Sequence, residues 1–167
     1  MTIKIYVASL EAYNNGRMVG AWITPTDYLS FEKFWNAVQV ATEYADEVAV
    51  HDYEGINLSN EYPDVEELYY FCHALEDSWV DEEVILAYAE YTGEDLNNEL
   101  IANAENNYVG TFSSFQEYAD EWADEQLRDT DNVLKNYFDY ERYARDLEYD
   151  FMVCDVSDYN VAVFSNC

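Results

Sequence analysis

The N-terminal region alternates apolar and polar residues, which is the period-two pattern of a half-buried strand. Ile3, Ile5 and Val7 share one face of residues 2–8. A turn signal, Asn-Asn-Gly, follows at residues 14–16. The pattern then predicts two more strands, at residues 18–23 and 48–53, and between them a helix capped by Ser30 at residues 31–44.

From residue 61 onward the apolar positions recur at the three- and four-residue spacing of helices. Asp64 and Asp81 stand at the positions of N-cap residues, and Gly93 stands where a helix is expected to end. The three helices predicted in this region cover residues 65–75, 82–91 and 95–104.

The last third of the chain returns to a mixed pattern of strands and helices. A strand is predicted at residues 108–112, and Ser113 or Ser114 is expected to cap the helix after it. A hairpin is expected around Asp158 and Asn160. The other predicted elements are helices at residues 115–127 and 133–147 and strands at residues 151–156 and 161–164.

These elements predict an α+β fold arranged as an elongated array of three small units. Residues 1–60 form a mixed unit of antiparallel sheet and helix, residues 61–104 a helical acidic unit, and residues 105–167 a second mixed unit of antiparallel sheet and helices. The length of 167 residues suits one domain or several very small ones. Because no long linker separates the units, we expect them to pack end to end.

The charge balance differs from that of an ordinary soluble domain. The chain carries 36 Asp and Glu against 7 Lys and Arg, a formal net charge of -29, whereas solubility asks for roughly 2 to 8 charges. No Lys or Arg occurs between Lys33 and Arg128, an interval that holds 24 acids. Aromatic residues make up 17% of the chain, so it can bury a core. Since like charges oppose folding, we expect a function that needs the negative field.

Other kinds of chemistry find little support in the sequence. The 5 Gly are not clustered as in a phosphate-binding loop, and residues 129–132 lack the glycine and closing Glu of an EF-hand. Cys72, Cys154 and Cys167 lack metal-ligand or redox spacing, and core packing is expected for Cys72 and His73. We see neither a signal peptide nor an apolar run of about 20 residues. We therefore expect a non-enzymatic, cytoplasmic protein without cofactor or metal.

The helix predicted at residues 115–127 indicates how acids are displayed, because one stripe is apolar and the other acidic. The apolar stripe contains Phe115, Tyr118, Ala119, Trp122 and Ala123, and the acidic stripe contains Glu117, Asp120, Glu121, Asp124 and Glu125. Acids three and four apart lie about 4.5 to 6 Å apart along the axis, against about 3.4 Å per phosphate of a DNA strand. We predict a decoy that occupies the DNA-binding channel of another protein, with carboxylate pKa values raised by crowding.

The predicted partner-binding surface collects acids from the central and C-terminal units. Its members are Glu66, Glu67, Asp81, Glu82, Glu83, Glu90, Glu94, Asp95, Glu117, Asp120, Glu121, Asp124, Glu125, Asp129, Asp131, Asp139, Glu141, Asp146, Glu148 and Asp150. A solvated face explains any single acidic helix, but 94 residues without a basic partner favour a functional surface. The alternatives are an acidic chaperone or inhibitor of other basic DNA-binding proteins, and the salt adaptation of an ordinary enzyme.

Four separated stretches of the chain together resemble the ArdA antirestriction protein family. They are Ile5–Ile23 (IYVASLEAYNNGRMVGAWI), Glu47–Gly55 (EVAVHDYEG), Tyr108–Trp122 and Leu134–Phe151. The resemblance implies a DNA mimic, encoded by a mobile genetic element or phage, that blocks Type I restriction-modification enzymes in the bacterial cytoplasm. It implies binding in the DNA channel of the enzyme, without direct contact to nucleic acid or membrane.

The resemblance also implies a curved, elongated homodimer. Residues 134–147 match the region of the family's antirestriction motif. Arg142 and Arg145 depart from the acidic pattern there, and we expect them to brace neighbouring carboxylates or the partner subunit. The aromatic residues of this segment, expected either in the core or at a dimer contact, are Tyr137, Phe138, Tyr140 and Tyr143.

Overall fold

The structure, a computed structural model, describes residues 2–58, 63–156 and 159–166. Within these ranges the chain forms eight α-helices and two antiparallel sheets of three strands each, which confirms the predicted α+β fold. The chain divides into two compact units, Met1–Ala102 and Asn103–Cys167. The finer division into three units at residues 60 and 104 stays a prediction. Asp158, expected in the hairpin turn, lies outside the described residues.

The sheet of the first unit has the N-terminal strand at its centre. Strand β1 (Lys4–Ser9) lies between β2 (Gly20–Ile23) and β3 (Val48–Glu54), and both pairings are antiparallel. Val7 is fully buried, as the alternating pattern predicted. A Cβ atom at Gly20 would overlap the carbonyl oxygen of Val7. Glycine at this position therefore allows β2 to approach β1 closely.

Two helices accompany this sheet, and one of them was not predicted. The sequence pattern missed helix α1 (Leu10–Asn14), because little more than one turn shows no periodicity. Helix α2 (Phe31–Ala41) begins after Ser30 as predicted but ends three residues before the expected end. Glu43 and Tyr44 have φ angles of 54° and 60°. This left-handed backbone cannot continue a right-handed helix.

Three more helices follow in sequence. Helix α3 (Val65–Asp77) runs two residues beyond its predicted end, and α4 (Glu82–Thr92) ends at Gly93, which has a φ of 68°. Helix α5 (Asn98–Asn107) begins three residues later than predicted. The side chain of Asn97 accepts a 2.9 Å hydrogen bond from a backbone N–H of the first turn, so the helix starts after this residue.

An aromatic cluster joins α2 to α3 inside the first unit. Phe34 is fully buried, and its ring stacks on Tyr69 at a centroid distance of 5.1 Å. The Tyr69 hydroxyl donates a 3.0 Å hydrogen bond to the carbonyl oxygen of Tyr28, and His73 Nε2 lies 3.2 Å from the same oxygen. Cys72 is buried beside them, and burial raises the pKa of its thiol to about 12. Cys72 and His73 therefore pack within the fold, as expected.

The second unit repeats the combination of a three-stranded sheet with helices. Strand β6 (Asn160–Ser165) lies between β4 (Tyr108–Phe112) and β5 (Phe151–Val156), with antiparallel pairing on both sides. Helix α6 (Phe115–Gln126) follows β4 and begins after Ser114, which the sequence offered as one of two caps. The buried core cluster of this unit contains Phe115, Tyr118, Ala119, Ala144 and Val163.

The single helix predicted at residues 133–147 is wrong, because the structure contains two shorter helices there. Helix α7 (Asn132–Lys135) ends after one turn, and α8 (Tyr140–Leu147) begins after Asp139. The carboxylate of Asp139 accepts a 3.0 Å hydrogen bond from the backbone N–H of Arg142. Asp side chains compete in this way with continuous helical hydrogen bonding. Asp139 therefore starts a second helix, although the apolar spacing predicted a single continuous one.

Replacement of Phe34 tests the aromatic cluster. Phe34→Ala leaves a cavity between α2 and α3, and we expect the free energy of unfolding to fall by about 3–5 kcal/mol. The control Leu29→Ala removes a side chain that is 89% exposed, and its effect should stay within about 0.5 kcal/mol. Urea unfolding followed by circular dichroism measures both. Similar midpoints for the two variants would contradict the core position of Phe34.

Candidate partner-binding surface

The predicted acidic surface consists of side chains that reach solvent. Of its twenty carboxylates, eighteen are exposed and two, Glu82 and Asp120, are half-buried. Eight of the twenty belong to the first compact unit and twelve to the second. Each unit therefore displays its own set of acids.

The acids of the first unit lie mainly around the N-termini of α3 and α4 and the C-terminus of α4. Acids in a first helical turn interact favourably with the positive end of the helix dipole. Asp81 occupies the N-cap position of α4 as predicted, but no side-chain hydrogen bond caps the helix there. Asp81 precedes α4, the first turns of α3 and α4 hold Glu66, Glu67, Glu82 and Glu83, and the end of α4 and the loop after it hold Glu90, Glu94 and Asp95.

Helix α6 separates an apolar face from an acidic one, as its sequence predicted. Phe115, Tyr118, Ala119 and Ala123 are buried. Trp122 departs from the expected stripe, because 45% of its surface is exposed. Acids four residues apart stand about 6 Å apart along the helix axis. The helix thus carries two rows, Glu117, Glu121 and Glu125 in one and Asp120 and Asp124 in the other.

Glu117 also caps the helix that displays it. The Ser114 hydroxyl accepts a 3.2 Å hydrogen bond from the backbone N–H of Glu117. In return, Glu117 Oε2 accepts 2.7 Å hydrogen bonds from the backbone N–H and from the hydroxyl of Ser113. These two donors lower the pKa of Glu117, which contradicts the expected rise for this carboxyl. The Ser-x-x-Glu spacing of Ser114 and Glu117 is a capping-box signal that could have indicated this role, although Glu117 bonds Ser113, the residue before the cap.

Further hydrogen bonds fix the second row of α6. Asp120 accepts a 2.7 Å hydrogen bond from Gln116 Nε2, and Asp124 accepts a 2.6 Å hydrogen bond from the hydroxyl of Tyr140 on α8. The hydrogen bond to Asp124 raises the pKa of Tyr140, so the phenol stays protonated and continues to donate. These contacts hold the two carboxylates in place.

The other seven acids of the second unit lie between the end of α6 and the start of β5. Asp131 caps α7 by accepting a 2.8 Å hydrogen bond from the backbone N–H of Val133, and Asp139 caps α8 as described above. Glu125 pairs with Arg128, and Asp146 pairs with Arg142 at 3.9 Å. Both pairs are exposed and contribute little stability. All seven are Asp129, Asp131, Asp139, Glu141, Asp146, Glu148 and Asp150.

The four aromatic residues of the predicted dimer contact separate into two kinds. Phe138 lies 4.9 Å from the ring of Tyr140 and 5.3 Å from that of Tyr143, and all three are half-buried. Tyr137 is 83% exposed. Val133 and Leu134, which the sequence assigned only to a helix, are exposed nearby in the chain. An exposed apolar set therefore exists at α7, and only Tyr137 of the predicted contact belongs to it.

The described ranges contain no helix that is long and apolar enough to cross a membrane. In the same part of the chain, no three His, Cys, Asp or Glu side chains are grouped so that they could hold a metal ion. What the structure presents is acidic and aromatic surface on two small α+β units.

Comparison of the sequence with known families supports the resemblance of its four stretches. The model of the antirestriction protein (ArdA) family matches residues 5–159. The chain belongs to the ArdA antirestriction protein family. None of the curated proteins compared with the chain matches it. The family match includes parts of both compact units and all twenty acids of the predicted surface, which lie between residues 66 and 150.

Glu117→Gln tests the cap of α6. Because hydrogen bonds lower the folded-state pKa of Glu117, its stabilisation is present above the ordinary glutamate pKa of about 4.3 and is lost as the pH falls through the lower folded value. We expect Glu117→Gln to lower the melting temperature near neutral pH and to have little effect once the pH lies below the lowered folded-state pKa of Glu117. The control Glu121→Gln removes the same charge one turn later and should not destabilise. A deficit for Glu117→Gln that persists in acid would contradict the assignment.

Proposed function

We propose that this ArdA family member inhibits Type I restriction-modification enzymes by occupying their DNA-binding channel as a mimic of B-DNA. It acts by competition and performs no catalysis. The observation that carries the proposal is the exposure of eighteen of the twenty predicted carboxylates, on helices such as α6 whose opposite face is buried. A basic channel that binds phosphates attracts such a surface for the same electrostatic reason.

The amount of charge suits a substitute for duplex DNA. Duplex DNA carries one charge per about 1.7 Å of axis, so a chain with a net charge of -29 corresponds to about 50 Å of duplex. The 6 Å steps along α6 are longer than the about 3.4 Å advance of one strand, and the second row of acids on that helix adds charges between them. The proposed mimicry is therefore a similarity in charge density, and the carboxylates need not superpose on the phosphates of DNA.

Order in the acidic surface supports affinity as well as attraction. Hydrogen bonds fix Glu117, Asp120 and Asp124 before a partner arrives. A surface that is already ordered loses less conformational entropy on binding than a flexible acidic tail. Binding between a basic channel and exposed carboxylates weakens as salt screens both. We therefore expect the protein's own affinity for the enzyme to be high at low salt and to fall as salt rises.

A displacement titration tests the proposed competition. A Type I methyltransferase is bound to fluorescent duplex DNA, and the protein is added at increasing concentration while anisotropy is recorded. We expect the protein to release the DNA, and its inhibition constant, corrected for the DNA affinity measured at each salt concentration, to increase as salt rises. Retention of the DNA at moderate salt would exclude competitive occupation. Capture of histone-like proteins instead of restriction subunits would favour the acidic chaperone.

Two variants with the same net charge separate a specific surface from bulk charge. Glu90→Gln with Glu121→Gln removes two exposed members of the acidic surface, and Glu11→Gln with Glu32→Gln removes two exposed acids outside it. We expect the first pair to weaken displacement about fivefold or more, at up to about 1 kcal/mol per lost contact, and the control pair to change it much less. Equal losses would show that only net charge matters.

We also propose that the protein forms a homodimer through the segment around α7. Two copies of a surface with one sign of charge repel each other, so a self-contact needs a region where the charge cancels. Residues 128–145 hold four acids and four of the 7 Lys and Arg, a formal net charge of zero. Val133, Leu134 and Tyr137 are exposed within this segment. Neutral charge and exposed apolar side chains together suit contact with a second copy.

Tyr137→Glu tests this contact. The change adds a negative charge and removes an 83% exposed aromatic ring, and we expect it to weaken dimerisation about tenfold or more because aromatic anchors dominate interface energies. Leu29→Glu introduces the same charge at another exposed apolar position, outside the neutral segment. Sedimentation velocity over a concentration series measures both. A monomeric wild type, or equal dissociation of the two variants, would contradict the proposal.

A further inference from the structure

An apolar groove with an acidic end lies within the first compact unit. Its volume is about 480 Å³, within the range of about 300–1,000 Å³ that is usual for ligand sites. The groove reaches from the aromatic side of α2 across β3 to the start of α3. Residues that line it include Phe31, Trp35, Val48, Asp64, Val65 and Glu66.

Two stacked aromatic rings form part of its wall. The ring centroids of Phe31 and Trp35 are 6.1 Å apart, with an angle of 25° between the planes. Trp35 is also 37% exposed. Indole is the aromatic group that binds cations most strongly over its face. Aliphatic side chains such as Val48 and Val65 complete the wall, and such a surface accommodates the apolar stem of a long basic side chain.

The charges at the groove select a cation over an anion. The N-terminus of a helix ordinarily attracts anions. In α3, however, the backbone N–H groups of Glu66 and Glu67 already donate to Asp64 Oδ1, at 2.8 and 3.0 Å. Asp64 and Glu66 line the groove, and within the described part of the chain its lining contains neither Lys nor Arg. An anion in the groove would therefore be repelled by the two carboxylates, whereas a cation would be attracted by both.

We infer that this groove binds a short basic segment of the protein partner, with an arginine or lysine stem on Phe31 and Trp35 and its charged end at Asp64 and Glu66. The identity of the partner rests on the proposed function, since a DNA-binding channel is rich in such side chains. Glu66 belongs to both the groove and the acidic surface, so the two are continuous. The apolar wall gives the decoy a contact that phosphates do not offer, and this part of the affinity resists salt.

A peptide titration tests the groove without any restriction enzyme. The probe is the capped tripeptide acetyl-Leu-Arg-Leu-amide, added to the ¹⁵N-labelled protein while amide and indole shifts are recorded. We expect saturable shifts at the Trp35 indole and at the backbone of residues 48–50. The uncharged citrulline analogue should bind about two- to fivefold more weakly, as the loss of one exposed charge contact implies. Equal binding of the analogue, or shifts spread evenly over all acidic helices, would overturn the inference.

Matched charge variants place the effect at the groove. Asp64→Asn with Glu66→Gln removes both carboxylates and keeps a residue that caps α3 well, and we expect peptide affinity to fall about fivefold or more. Glu76→Gln with Asp77→Asn removes two charges from the other end of the same helix and should leave affinity nearly unchanged. Equal losses would overturn the inference. Because no enzyme is present, these results are independent of the displacement titration that tests the proposed function.

Discussion

Burial of aromatic and aliphatic side chains has to outweigh the mutual repulsion of the acids, and the rest of the structure depends on this balance. Phe34, Phe71 and Phe164 are fully buried, and each such side chain contributes about 1.5–3 kcal/mol when it leaves water. A net charge of -29 opposes this gain because compaction brings like charges together. The fold therefore keeps its acids at the surface and concentrates its aromatic residues in compact clusters.

Helix N-termini lower the repulsion that the acids cause. Asp64, Asp131 and Asp139 each accept hydrogen bonds from backbone N–H groups at the start of a helix. Glu117, in the first turn of α6, accepts one from the backbone N–H of Ser113, the residue before the Ser114 cap. A carboxylate at such a position interacts favourably with the helix dipole and satisfies a backbone donor that has no helical partner. These acids consequently stabilise the fold and still contribute negative charge to the surface. The same carboxylates therefore serve both the stability of the fold and its acidic surface.

Elements with regular spacing could be predicted from the sequence, whereas local side-chain competition could not. The strands of both sheets and the start of α6 follow from alternation and from the serine cap. The break before α8 does not, because apolar spacing continues through Asp139 while its carboxylate starts a new helix. The exposure of the predicted acids follows from their polarity. The lowered pKa of Glu117 depends instead on the two Ser113 donors, which crowding arguments ignore.

The placement of the few cations separates two kinds of surface. Four of the 7 Lys and Arg fall between residues 128 and 145, where they match four acids, while residues 34–127 contain 24 acids and no cation. A cation scattered among the acids would stabilise the monomer slightly through an exposed ion pair, but it would also cancel part of the field that attracts a basic partner. Because they share a stretch of sequence with the exposed Val133, Leu134 and Tyr137, the cations give that stretch a formal net charge of zero. The function proposed for this chain explains this separation of the cations from the acids. An acidic surface attracts a basic channel only where cations do not cancel its field, and two copies can meet only where cations do cancel the repulsion between acids.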